Sequence, residues 1–142
     1  MQILFRLLLV FAYLTSLVAH AEESEKPFIV GTSAQDRLLG TIRSDDFVGK
    51  DGPDVFVINY LSETPDRILD FDATEGDSLE LAFTVPKSQV LETEHFTINR
   101  KGVVTVDLAG KVQPVVDLMQ SNLQLALDVR KGRYFLEFSK KF

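Results

Sequence analysis

Three aspartates stand nine residues apart, Asp36, Asp45 and Asp54, each five residues after a glycine, Gly31, Gly40 and Gly49. Two residues after each aspartate comes a large apolar side chain, Leu38, Phe47 or Phe56. The tandem runs "GTSAQDRLL", "GTIRSDDFV", "GKDGPDVFV", with Gly52 as an extra glycine in the third unit, and then loses its register: nine residues past Gly49 is Ile58. Carboxylates repeated at fixed spacing are oxygen donors for a hard cation. The charge balance agrees with such a task. The formal charge is −6, and removal of the first 21 residues, with Arg6 and no acid, makes it −7. An acidic chain suits cation binding and solubility and argues against nucleic acid, whose phosphates demand a basic face.

The elements that must carry these residues read as short strands and turns. "DVFVINYL" is β-branched and aromatic, and "SLELAFTV" alternates apolar Leu79, Leu81 and Phe83 with other residues, as in a half-buried strand. "HFTIN-RKG-VVTVDL" and "LQLALDV-RKG-RYFLEF" read as two hairpins, with Gly102 and Gly132 in their turns. "ATEGD" is a turn with Gly76 free to take positive φ. "QPVVDLMQSN" has Pro114 near its start and Val115, Leu118 and Met119 at helical spacing, which predicts one short helix. The architecture expected is all-β, with at most that helix.

The amino terminus is set apart. "MQILFR" precedes the uncharged run Leu7–Ala19, and "AHA" supplies small residues for a signal-peptidase site. The run is shorter than the ~20 residues that span a bilayer. The expected organisation is a signal peptide over 1–21, a polar leader over 22–27 and one β-domain over 28–142, so the product is secreted or periplasmic, with no transmembrane segment after cleavage. There is no cysteine, which excludes disulfides and thiol chemistry.

The nonapeptide resembles the RTX (haemolysin-type) calcium-binding repeat, G-G-x-G-x-D-x-U-x with U a large apolar residue. "DRILDFDATEGDSLEL", from Asp66 to Leu81, is similar to the segment that follows the last repeat in serralysin-type C-terminal domains. The likeness covers about residues 29–83. It implies a short, degenerate parallel β-roll over 28–83, continuing into a β-sandwich-like region of hairpins over 84–142. Two repeats make one coil, so the turns of repeats n and n+2 stack. The resemblance implies Ca²⁺ as the cofactor, bound by aspartates and turn carbonyls. Asp36 and Asp54 then share one site, Asp45 forms a second with Glu63 or Asp66, and Gly31, Gly40, Gly49 and Gly52 shape the turns. The second repeat position holds Thr32, Thr41 and Lys50 and the fourth holds Ala34 and Arg43, where the family has glycine. A relic roll, its aspartates capping the turns by hydrogen bonds without an ion, is the competing expectation.

Other constellations are weaker. His95 is the only histidine beyond residue 21, so a polyhistidine zinc site is impossible, and a Ser-His-Asp relay has to use it. "DFDATEGD" fails the EF-hand spacing, because its sixth position is Glu75. "GKDG" is not a phosphate loop. The basic and aromatic end "KGRYFLEFSKKF" reads as a terminal strand. The function expected is an exported module with structural calcium that binds a secreted or cell-surface protein or glycan, or serves as an accessory protein. The alternative is a small secreted hydrolase that uses two carboxylates and keeps the roll as scaffold.

Overall fold

The computed structural model of the protein describes residues 28–141. The expected signal peptide and leader lie outside the described residues. Eleven strands form two mixed sheets. The first six are short: β1 Phe28–Val30, β2 Arg37–Leu39, β3 Asp46–Val48, β4 Val55–Ile58, β5 Asp66–Ile68 and β6 Ser78–Leu81. They alternate between the sheets. β1, β3 and β5 lie parallel in one, and β2, β4 and β6 lie parallel in the other. Leu38 aligns with Phe56, and Phe56 with Leu79. The chain therefore winds as a parallel coil, with one repeat per half-turn.

The coil is held from inside. Phe47, Phe56, Ile68 and Leu79 are fully buried, and Leu38 is nearly so. Phe47 meets Phe56 edge-on at 5.5 Å, and Phe71 meets Phe138 edge-on at 5.1 Å. Burial of a large aromatic side chain contributes about 3 kcal/mol each, which the very short strands cannot supply alone. The apolar position of every repeat thus faces the core, as its period implies.

The remaining strands are β7 Phe96–Ile98, β8 Val103–Leu108, β9 Lys111–Asp117, β10 Leu123–Arg130 and β11 Arg133–Lys140. They extend the same two sheets, in the orders β1-β3-β5-β9-β8-β7 and β10-β11-β6-β4-β2. Both expected hairpins form, β7 with β8 and β10 with β11, and Gly102 and Gly132 take φ of 93° and 73° in their turns. One apolar cluster runs from Leu38 to Phe138. No helix of the described residues is long and apolar enough to cross a membrane.

The expected helix over "QPVVDLMQSN" is absent: its first half lies in β9. Val104 pairs with Val116 and Thr105 with Pro114, so Val115 is an extra residue in a β-bulge. The bulge turns Val115 and Val116 inward together, which breaks the strand alternation and imitates helical spacing. Proline is tolerated where the ladder is broken. Met119, expected on the helix's apolar face, is 50 % exposed at φ 55°. Helical turns among the described residues are two 3₁₀ turns, Ala73–Glu75 and Thr93–His95.

Each outer face carries a cross-coil ion pair. Arg67 grips Asp46 of the neighbouring strand with Nε and Nη2, at 2.9 and 2.6 Å. On the other sheet Glu80, 4 % exposed, is held by Arg37 Nε at 2.9 Å and Arg133 Nε at 2.7 Å. Burial pushes the Glu80 carboxyl up, but the two arginines outweigh it and hold it below the usual range.

Candidate functional site

The coil's turns lie along its two edges, and each edge carries a ladder of aspartates. On one edge the Asp36 N–H donates to Asp54 Oδ1 at 2.9 Å, and the Asp54 N–H donates to Asp77 Oδ1 at 2.8 Å. On the other edge the Asp45 N–H donates to Asp66 Oδ1 at 2.8 Å. The stacked pairs are 18, 23 and 21 residues apart. The pairing of Asp36 with Asp54, and of Asp45 with Asp66, follows the expected stacking of turns. Glu63, the other expected companion of Asp45, is exposed. Asp77 was not among the expected site residues. Its signal was present, because "DRI" at Asp66 and "DSL" at Asp77 repeat the aspartate-x-apolar phrase of the nonapeptides, displaced by insertions in the intervening turns.

Within this ladder Asp36, Asp45 and Asp77 close their own turns, and Asp77 takes the Asp54 N–H of the neighbouring coil on its other oxygen. Thr32 N–H donates to Asp36 Oδ2 at 2.6 Å, and Thr41 N–H to Asp45 Oδ2 at 2.7 Å. The Asp72 N–H donates to Asp77 Oδ2 at 2.9 Å. In the first two turns the threonine hydroxyl adds a latch. Thr41 Oγ1 donates to Asp45 Oδ1 at 2.7 Å and accepts the Arg43 N–H at 3.0 Å, and Thr32 Oγ1 makes the same pair of contacts with Asp36 and Ala34. Neither threonine has positive φ. Threonine at the second position therefore builds a different turn from the glycine-rich one, without left-handed strain.

The third turn departs from this pattern. Lys50 has φ 66° and Gly52 φ 94°, so this turn alone has left-handed residues at the second and fourth positions. The Lys50 N–H, which by analogy closes on Asp54, donates instead to Asp70 Oδ2 at 2.8 Å, and Gly49 N–H donates to Asp70 Oδ1 at 2.9 Å. Asp54 is 0 % exposed, and its Oδ2 has no hydrogen-bond partner. It is the one such buried side-chain oxygen or nitrogen among the described residues. Desolvation raises the Asp54 carboxyl above its ordinary range, and the charges of Asp36, Asp70 and Glu75 push the same way. Burial also raises Asp77, to about 6, with Asp54 and Glu75 adding to the effect.

The first-position glycines are needed for space rather than for positive φ. A methyl group added at Gly31 would stand 2.7 Å from Asp36 Oδ2 and 2.9 Å from the Gly49 carbonyl oxygen. At Gly40 it would meet the Val57 carbonyl at 2.8 Å, and at Gly49 it would collide with Asp54 Oδ2 and Phe56. The left-handed Gly52 packs its Cα face on the Ala34 carbonyl of the coil below. The first and third turns thus supply carbonyl oxygens, of Gly49 and Ala34, packed against glycines of the stacked turn, and an unpartnered carboxylate oxygen, Asp54 Oδ2, packed against Gly49. This is the donor chemistry that a hard cation takes. Among the described residues no three His, Cys, Asp or Glu side chains gather at metal-ligand spacing, so a cation here would draw mainly on carbonyls. The Asp45–Asp66 edge differs: Asp45 is closed by the threonine latch, and Asp66 is hydrogen-bonded.

Four surface concavities among the described residues hold a single carboxylate between them, Asp107. It lines one together with Ser88 and His95. His95 Nδ1 accepts the Glu92 N–H and Asp107 Oδ1 accepts the Gly110 N–H, and no hydrogen bond joins the three into a relay. Comparison with family models, with curated proteins and with solved structures found no match to this chain.

Proposed function

We propose that this chain is an exported calcium-binding β-roll module resembling the RTX family, with a structural ion at the third turn. The observation that carries the reading is Asp54 Oδ2, fully buried and without a donor. An unmet buried acceptor costs about 1–3 kcal/mol, and more when charged. A calcium ion offsets that cost and the repulsion that Asp36, Asp70 and Glu75 exert on Asp54. Asp54 would hold the ion, with turn carbonyls of the first and third repeats completing the oxygen set.

The Asp45–Asp66 edge, for which a second ion was expected, is closed by hydrogen bonds, and this favours one ion per chain. Binding free energy becomes folding free energy, so such a protein orders its coil in a calcium-rich compartment, in keeping with the signal-peptide pattern. The module's further role is binding or adhesion to a protein or glycan, or service as an accessory protein. No specific observation favours the carboxylate hydrolase.

Isothermal titration of the chelated protein with calcium chloride tests the reading. Asp54→Asn abolishes the heat of binding, whereas Asp45→Asn preserves it. Equal losses in both variants would contradict the assignment.

A further inference from the structure

The three nonapeptide turns are not equivalent, and one residue outside the repeats separates them. In the first two, the second-position N–H and a threonine hydroxyl satisfy the aspartate of the same turn. In the third, both of the turn's leading N–H groups, Gly49 and Lys50, are taken by Asp70, which follows β5. The missing own-turn hydrogen bond of Asp54 is the bond that Asp70 has diverted. Lys50, which makes this contact, stands in the left-handed region, where a non-glycine residue costs about 1–2 kcal/mol.

We infer that Asp70 is a positioning residue that holds the third turn open for a cation, and that threonine at the second repeat position is the opposite device, which closes a turn without one. The inference rests on the calcium reading for its functional meaning, but the diversion of the Lys50 N–H has its own readout. Without Asp70, the Lys50 N–H returns to Asp54 Oδ2, as Thr32 and Thr41 do with their aspartates, and the turn closes. Lys50→Thr should act in the same direction by another route. A β-branched residue resists positive φ, and its hydroxyl supplies the latch.

The test combines calcium titration with the amide proton shift and hydrogen exchange of Lys50, measured in the full chain. Asp70→Ala should weaken calcium binding at least tenfold relative to wild type. In that background, and not with Asp70 present, adding Asp54→Ala should shift the Lys50 amide, because only then are the two bonded. Lys50→Thr should lose calcium binding at least tenfold and melt higher in chelator; it keeps the inference testable if Asp70→Ala does not fold. A loss below tenfold in the folded variants would overturn the inference. If wild type binds no calcium, the calcium reading fails by itself. The Lys50 amide then decides: dependence on Asp54 only when Asp70 is absent supports the positioning role, and no such dependence overturns it.

Discussion

The Asp36 N–H donates to Asp54 Oδ1 at 2.9 Å across one coil, and the other oxygen of Asp54 meets no donor. One carboxyl group therefore both joins the first turn to the third and keeps an unmet oxygen. Stability and calcium binding are thereby coupled through one side chain.

The first consequence is a crossing of stabilities. Asp54→Asn keeps the oxygen that accepts from Asp36 and replaces the orphaned one with a neutral amide. In chelator it should be more stable than wild type by about 1–3 kcal/mol, since an unmet buried acceptor is removed. In excess calcium the order should invert. Urea melts in both solutions measure it, and a variant that is destabilised equally in both would contradict it.

Thr41→Val should behave differently. It deletes a donor to Asp45 and an acceptor for Arg43, at a cost of about 1–3 kcal/mol. The loss should be the same with calcium or with chelator, because this turn is closed by hydrogen bonds. A calcium-dependent loss would place an ion at the Asp45 edge.

The pH dependence in chelator follows from carboxyls shifted in opposite directions. Asp77, raised from 3.8 to about 6, and Asp54, also raised, bind protons more tightly in the folded state. Their protonation favours folding; the Asp77 contribution is lost as pH rises through about 6, and the Asp54 contribution as pH rises through its own raised value. Glu80 and Asp72 are lowered by Arg37 and Arg133 and by Thr74, respectively. Their contribution is present at neutral pH and lost as pH falls below about 4. Melting temperature in chelator should thus peak at mildly acidic pH and decline toward pH 7. A flat profile from pH 5 to 7 in chelator would contradict it.

Legibility in the sequence differed by feature. The inward Leu38, Phe47 and Phe56 and the stacking of Asp36 on Asp54 were readable, because an eighteen-residue coil preserves the nine-residue register. Asp77 was harder to see, since insertions stretch its coil to 23 residues, although "DSL" repeats the phrase. The helix expected at Pro114 failed because a bulge buries Val115 beside Val116, and local spacing cannot reveal a cross-strand register shift. Gly31, Gly40 and Gly49 were expected to let the turns bend so that their carbonyls face an ion. Their actual constraint is a carboxylate or carbonyl oxygen, brought there by the turn or by the neighbouring coil. Nothing in "GKDGPD" announces that Asp70, some twenty residues on, takes its N–H groups.

That steric reading yields a contrast between glycines. Gly49→Ala drives a methyl group into Asp54 Oδ2 and the Phe56 ring, whereas Gly110→Ala meets nothing within 4 Å and bears only the strain of φ 85°. Overpacking costs about 1–3 kcal/mol, so Gly49→Ala should also weaken calcium binding, and Gly110→Ala should leave it unchanged. Equal calcium affinities would remove Gly49 from the site.

The most direct test of the central claim is a thermal melt of the protein from residue 22 onward, followed by circular dichroism, in chelator and across a calcium titration with magnesium as control. The account predicts a rise in melting temperature that saturates, is not reproduced by magnesium at the same concentration, and disappears in Asp54→Asn. A melting temperature that calcium does not move, or a rise that survives in Asp54→Asn, would contradict it.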